Sequence, residues 1–79
     1  MLYGDLKKAG VFNLMHNGFN LYTYDTNQRL WPVINNNEWH YVTDDKTKCI
    51  SYRQLEKVEV KCIGSDPDGE FVPALWIVL

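Results

Sequence analysis

Four side chains have the chemistry to ligate a metal ion or to form a nucleophile–base pair: His16, His40, Cys49 and Cys62. No two of them stand in a C-x-x-C or H-x-x-x-H spacing, which would hold zinc ligands together along the chain. Either cysteine could pair with His40 as nucleophile and base, but strand cysteines of a reduced protein usually serve packing. We therefore predict no catalytic residue, no metal site and no cofactor.

Acidic residues offer two further possibilities, each with a simpler explanation. Glu38 with Asp44 or Asp45 could supply the paired carboxylates of a glycosidase, but a chain of 79 residues has little room for a sugar-binding cleft. Residues 66–70 (Asp-Pro-Asp-Gly-Glu) match part of a calcium-loop pattern and lack its remaining ligands. Because the same residue types form ordinary turns, we predict a turn there.

Large aromatic side chains are abundant, with three Trp, five Tyr and three Phe among 79 residues. A domain of this size can enclose only a few large rings, and exposed Trp, Tyr and Arg are typical of protein-binding surfaces. The sequence therefore predicts a partner-binding surface made of six residues, namely Tyr22, Tyr24, Arg29, Trp31, Trp39 and Tyr41.

Two other interpretations of these six residues remain open. The rings could stack on single-stranded nucleic acid, although the net charge of −2 disfavours this because phosphate binding requires an excess of Lys and Arg. They could also serve only core packing and cross-strand pairing. We predict a protein partner ahead of nucleic acid.

Turn signals locate the first elements that would position these side chains. Residues 3–10 predict a helix of at most two turns, with Asp5 in its first turn and Gly10 at its C-terminal cap. In residues 11–25, Asn17-Gly18 is a strong hairpin signal because both positions of that turn need positive φ. Residues 11–16 and 19–24 would form the two arms.

Shorter strand signals follow. Residues 30–34 predict a strand that is an edge or carries a bulge, because Pro32 lacks the N–H of the ladder. Residues 38–43 and 48–52 predict two strands, preceded by a tight turn at residues 35–37 (Asn-Asn-Asn).

The second half of the chain alternates more clearly. Ser51 could cap a single helical turn over residues 52–56. Val58, Val60 and Cys62 alternate with charged residues and predict a half-buried strand with Cys62 on its apolar face. Residues 71–79 predict the last strand.

Connections of two to six residues between these strands favour antiparallel neighbours. The sequence thus predicts a mainly β fold, on the α+β borderline, with about five to six short antiparallel strands. They would form a bent sheet or small barrel with one short N-terminal helix. A chain of 79 residues has room for a single domain spanning residues 1–79.

The last segment, from Val72 to Leu79, is apolar at nearly every position. A strand with one solvated face would show polar residues at alternate positions, so both faces of this one must be covered. Either the strand is central in the sheet, or a second copy covers it in a symmetric homodimer.

The first residues lack the basic start and apolar stretch of an export signal, and no apolar run is long enough to cross a bilayer. We therefore expect a cytoplasmic protein without membrane contact. In a reducing compartment Cys49 and Cys62 should be unbridged, and we predict that at least one is buried.

The opening Tyr3-Gly4-Asp5-Leu6, the short helix and the hairpin leading to residues 21–25 (Leu-Tyr-Thr-Tyr-Asp) resemble small uncharacterised β-rich proteins of phages and prophages. Phage proteins of this size are often inhibitors of host or defence machinery, including anti-CRISPR proteins. The resemblance implies a small non-enzymatic protein that occludes a partner protein in the host-cell cytosol. It carries over no functional residue.

Overall fold

The computed structural model describes residues 1–10, 18–69 and 71–79. Within these ranges two short helices, α1 (Tyr3–Lys8) and α2 (Tyr52–Leu55), accompany one sheet. Its six strands are β1 (Asn20–Thr23), β2 (Arg29–Asn35), β3 (Glu38–Thr43), β4 (Cys49–Ser51), β5 (Val60–Ser65) and β6 (Pro73–Ile77). The predicted mainly β fold with a short helix near its N-terminus is confirmed.

The strands lie side by side in the order β4-β3-β2-β1-β6-β5. β1 to β4 form an antiparallel meander, as their short connections predict. β6 pairs antiparallel with β5 but parallel with β1, so the expectation of purely antiparallel strands is wrong at this one pair. A parallel neighbour needs a long connection, and the chain between β1 and β6 supplies one. The sheet stays open, with β4 and β5 as its edges.

Local signals explain the turns and caps. Asn36 and Asn37 connect β2 to β3 with φ of 51° and 62°, the left-handed conformation that a tight hairpin turn requires. Ser51 caps α2, because its Oγ accepts from the Gln54 N–H at 3.2 Å while the Gln54 side chain accepts from the Ser51 N–H. The single helical turn predicted after Ser51 is therefore confirmed.

The hairpin predicted over residues 11–25 is described only in its second half. Its first arm and Asn17 lie outside the described residues. Gly18 has φ of +78°, and the second arm is β1, whose two neighbours in the sheet are β2 and β6.

One face of the sheet, which we call the helix face, carries the core. Leu6 of α1 and Leu55 of α2 are 4% and 1% exposed and pack with the buried leucines and isoleucines of the strands. These are chiefly Leu21, Leu30, Ile50, Leu75 and Ile77. The strands need the two helices because each sheet face must bury its apolar side chains against another layer.

β6 is an inner strand of the sheet, as in the first of the two arrangements that its apolar sequence allows. Ala74, Leu75 and Ile77 are fully buried between β1 and β5. Leu75 and Ile77 face the core. On the opposite face Ala74 is buried and Trp76 half-buried, whereas residues 78–79 beyond the strand are exposed. The inner position of β6 accounts for most of its apolar composition. A homodimer through this strand stays a prediction.

β2 is an inner strand in regular register with β3, so the edge or bulge predicted at Pro32 is wrong. Within the described ranges β2 pairs with β1 only at Arg29 and Leu30, whereas it pairs with β3 along its whole length. The missing N–H of Pro32 is tolerated because no neighbour is paired there on the β1 side.

The edge strand β5 carries a bulge that changes which residues face the core. Val60 pairs with Ile77 and Cys62 with Trp76, so Lys61 is an extra residue on this side of the ladder. Because of this bulge, Val60 and Cys62 lie on opposite faces of the strand. Cys62 is exposed, and Cys49 is exposed as well. The two thiols are unbridged, as predicted, but the expectation of a buried thiol is wrong. No helix of the described chain is long and apolar enough to cross a membrane.

Candidate functional site

The face of the sheet opposite the core, which we call the open face, has neither α1 nor α2 packed on it. Strand register places its side chains in two rows across the sheet. The first row is Arg29, Tyr22, Trp76 and Cys62; the second is Trp31, Val42 and Cys49.

The six residues predicted to bind a partner do not form one surface. Tyr22, Arg29 and Trp31 lie on the open face. Tyr24 follows β1, is 51% exposed and has the Lys61 ammonium 5.6 Å from its ring centre. Trp39 and Tyr41 lie two positions apart on β3, and both are on the helix face.

Trp31 is fixed in place although its ring is accessible. The guanidinium carbon of Arg29 lies 3.9 Å from the centre of the Trp31 ring, and the indole N–H donates a hydrogen bond to the Asp44 carboxylate. Arg29 is itself held by Asn20, whose Oδ1 accepts from Nη2 at 2.9 Å. Trp31 is 42% exposed, so this surface presents a rigid aromatic ring to solvent.

Tyr22 supports the open face from within. Its ring stacks on Trp76 with centroids 5.6 Å apart, and the Trp76 indole N–H donates to Asn27 Oδ1 at 2.6 Å. Tyr22 is 2% exposed, which leaves no ring surface for a partner. The structure therefore corrects the prediction for Tyr22, which positions the neighbouring residues instead of contacting a partner.

A buried carboxylate joins the turn after β5 to this cluster. Asp66 is 5% exposed and accepts hydrogen bonds from the Tyr22 hydroxyl at 2.9 Å, the Asp68 N–H at 2.7 Å and the Asn20 amide. Burial alone would raise the pKa of Asp66, but these hydrogen bonds and the charge of Arg29 outweigh it. The pKa lies below its ordinary value, so Asp66 is a carboxylate at neutral pH.

The same contacts act on the Tyr22 hydroxyl in the opposite sense. Burial, followed by the hydrogen bonds to Asp66 and Asp68, raises the pKa of Tyr22. The hydroxyl therefore stays protonated and can donate. Together these contacts hold residues 66–69 against the open face.

The turn at 66–69 fits the ordinary-turn interpretation. The Gly69 N–H donates to the Asp66 carbonyl oxygen at 3.2 Å, and Gly69 has φ of +81°. Both Asp66 carboxylate oxygens are occupied by donors of the chain. Glu70, the last residue of the calcium-like pattern, lies outside the described residues.

Within the described residues, the paired carboxylates and the metal ligands considered from sequence are not brought together. Glu38 begins β3 and Asp44 follows its end, which separates the two by about 20 Å in an extended strand. Glycosidase carboxylates lie within about 10 Å of each other. Across the described ranges, no three His, Cys, Asp or Glu side chains converge to hold a metal ion. His16 lies outside them.

A second aromatic surface lies on the helix face at the tip of the β2–β3 hairpin. We call it the hairpin patch and define it by Ile34, Trp39 and Tyr52, which are 65%, 50% and 47% exposed. Ile34 pairs with Trp39 across the hairpin. Tyr52 stacks on Tyr41 with centroids 5.2 Å apart, and burial raises the pKa of Tyr41.

Sequence reasoning missed three residues that shape the open face: Asn20, Asp66 and Trp76. The sequence predicts an apolar strand around Trp76 and a turn around Asp66. The sequence held no signal for their contact, because the Asn20–Asp66 and Asn27–Trp76 pairs join residues 46 and 49 positions apart. Comparison with known protein-family models, curated proteins and solved structures finds no match to the chain.

Proposed function

We propose that this protein is a small non-enzymatic binding module that occludes a partner protein through its open face. The observation that carries the proposal is the fixed but accessible ring of Trp31, held by Arg29 and Asp44. Trp and Arg are the residue types that most often dominate binding energy, and a fixed side chain loses little entropy on binding.

The surroundings of Trp31 support a protein partner of definite chemistry. Val33, Val42 and Cys49 share the open face with Trp31 and are half-buried or exposed, which makes this part of the surface apolar. Carboxylates flank it, with Asp44 beside Trp31 and Asp68 exposed beyond Tyr22. The partner we propose presents an apolar surface with basic side chains at its margin.

Single-stranded nucleic acid is the weaker candidate. Stacking on Trp31 would bring phosphates towards Asp44, while Arg29 is already engaged by Asn20 and the indole ring. Tryptophan quenching by oligonucleotides that weakens as salt rises would favour this candidate.

The biological setting that we propose is the cytosol, where the two exposed thiols stay reduced. Occlusion of a host or defence protein, as by an anti-CRISPR protein, agrees with this mode of action. The phage origin stays a prediction.

The test is capture of a partner from host lysate, followed by binding measurements with that partner in purified form. We expect Trp31→Ala to weaken binding at least about tenfold, as for other central aromatic anchors. Trp39→Ala is the matched control, because it removes a similarly exposed ring from the other face and should bind like wild type. No capture at low-micromolar concentration, or equal binding by Trp31→Ala, would contradict the proposal.

A further inference from the structure

The hairpin patch carries a half-exposed ring, Trp39, that makes no hydrogen bond, ring stacking or cation–π contact within the described ranges. Trp39 is 50% exposed, and its indole N–H donates no hydrogen bond there. Ile34, opposite it in the register, is the most exposed aliphatic residue of the sheet at 65%. Adjacent large apolar side chains with this exposure mark an interaction surface.

A cavity opens on the same side of the molecule, across α2 from Trp39. It has a volume of about 420 Å³, and its walls include Tyr3, Phe19 and Leu55. Tyr52 and Arg53 line it as well, and they also line a smaller cavity of about 210 Å³ that Trp39 borders. The Trp39 ring and the larger cavity are therefore neighbours on one continuous surface.

The cavity suits an aromatic side chain. It is a groove open to solvent, and its volume of about 420 Å³ exceeds the roughly 150 Å³ of an enclosed cavity that binds benzene. Tyr3 and Phe19 already contact each other in a tilted arrangement, with centroids 6.1 Å apart. Edge-to-face contacts of this kind are the favoured geometry for a further ring.

One ion pair borders each of the two cavities on this surface. Lys7 lies 3.2 Å from Glu56 at the larger cavity, and Arg53 lies 3.7 Å from Glu38 at the smaller one. All four side chains are largely exposed, so each pair can exchange partners without removing a buried charge. Equal numbers of cations and carboxylates complement a second copy of the same surface better than a partner of strong net charge.

We propose that two copies of this chain associate face to face through the hairpin patch. A two-fold axis beside Tyr52 and Arg53 lets each copy insert Trp39 into the aromatic cavity of the other. This is the self-complementary contact of a symmetric dimer. The inference is independent of the proposed function, because it uses the opposite face of the sheet.

The test is the molar mass of the purified full chain over a concentration series, by light scattering after size exclusion. We expect the wild-type mass to rise from 9.3 kDa towards twice that value. Trp39→Ala should raise the dimer dissociation constant at least about tenfold. Trp31→Ala, the matched control on the open face, should dimerise like wild type.

Side-chain NMR of the same samples identifies the interface. The ring signals of Tyr3 and Phe19 should shift as the concentration rises and should not shift in Trp39→Ala. Any of four results would overturn the inference: a wild type monomeric throughout, equal weakening by Trp31→Ala, a dimer that leaves these rings unshifted, or a monomer that captures another protein through Trp39.

Discussion

Trp31 and Trp39 lie on the two strands of one hairpin with similar exposure, 42% and 50%, yet their surroundings differ. Trp31 has a guanidinium against its ring and a carboxylate on its N–H. Among the residues that the structure describes, Trp39 has neither, although it pairs with Ile34 across the hairpin. Exposure alone therefore does not describe an aromatic surface, because the contacts of a ring decide whether it is fixed.

The free-energy change on covering each ring with a partner should differ between the two surfaces. A ring that is already fixed loses little conformational entropy when a partner covers it. Burial of the Trp39 ring removes a similar apolar area from water but costs more conformational entropy, because no contact fixes this ring beforehand within the described ranges. The open face is thus a preorganised surface, whereas the hairpin patch depends on a cavity that receives Trp39.

The largest effect should come from removing the support beneath the open face. Tyr22→Ala deletes a ring that is 2% exposed and stacks on Trp76, and it leaves Asp66 without its hydroxyl donor. We expect a loss of about 3–5 kcal/mol in the free energy of unfolding. Urea denaturation followed by circular dichroism measures this loss.

Tyr24→Ala is the control for that substitution. It removes the same ring two residues later, at a position that is 51% exposed. We expect it to change the unfolding free energy by less than about 1 kcal/mol. Equal losses in the two variants would show that the stacking of Tyr22 on Trp76 and its hydrogen bond to Asp66 do not stabilise the sheet.

The two tryptophans should differ in their contribution to stability. Trp31→Ala removes the contact with Arg29 and the hydrogen bond to Asp44, and we expect a loss of about 1–2 kcal/mol. Trp39→Ala should cost less than about 0.5 kcal/mol at a concentration where the chain is monomeric. Thermal unfolding of both variants at one protein concentration makes the comparison, and the reverse order would contradict it.

The smallest effect should appear as a dependence on pH. Because folding lowers the pKa of Asp66 below its ordinary value of 3.8, its stabilising contribution is complete above that value. The contribution is lost as the pH falls from there through the pKa of the folded state. We expect stability to decrease below about pH 4, measured by urea denaturation from pH 7 to pH 2.

Asp66→Asn should decrease less steeply over this acid range, because the amide cannot take up the proton. Asp5→Asn removes the same charge from an exposed position of α1 and serves as the control. An acid dependence in Asp66→Asn as steep as in wild type would assign the effect to other groups.

Much of the local structure could be predicted from the sequence. The bounds of β3 agree with the alternation of residues 38–43, and the Asn36-Asn37 turn has the positive φ that its residues favour. Ser51 caps α2 as its position predicts. These features depend on residues within a few positions of one another, so the chain carries their signal locally.

The candidate site was only partly predictable. Trp31 and Arg29 were identified by residue type, and the structure places them in contact. Tyr22 and Trp39 were assigned to the same surface, but one is buried and the other lies on the opposite face. Residue type alone does not show whether an aromatic side chain is buried or which face of the sheet it lies on. Both depend on the register of the neighbouring strands.

Residue order within short segments was enough to predict a mainly β fold, the turn at Asn36-Asn37 and the alternation of side chains along β3. The parallel entry of β6 beside β1, the Lys61 bulge that exposes Cys62 and the contact of Asp66 with Tyr22 appear only in the folded chain. The physical reason is separation along the chain. Alternation and turn conformation are set by neighbours, whereas strand order is set by how the whole sheet buries its apolar side chains under two short helices.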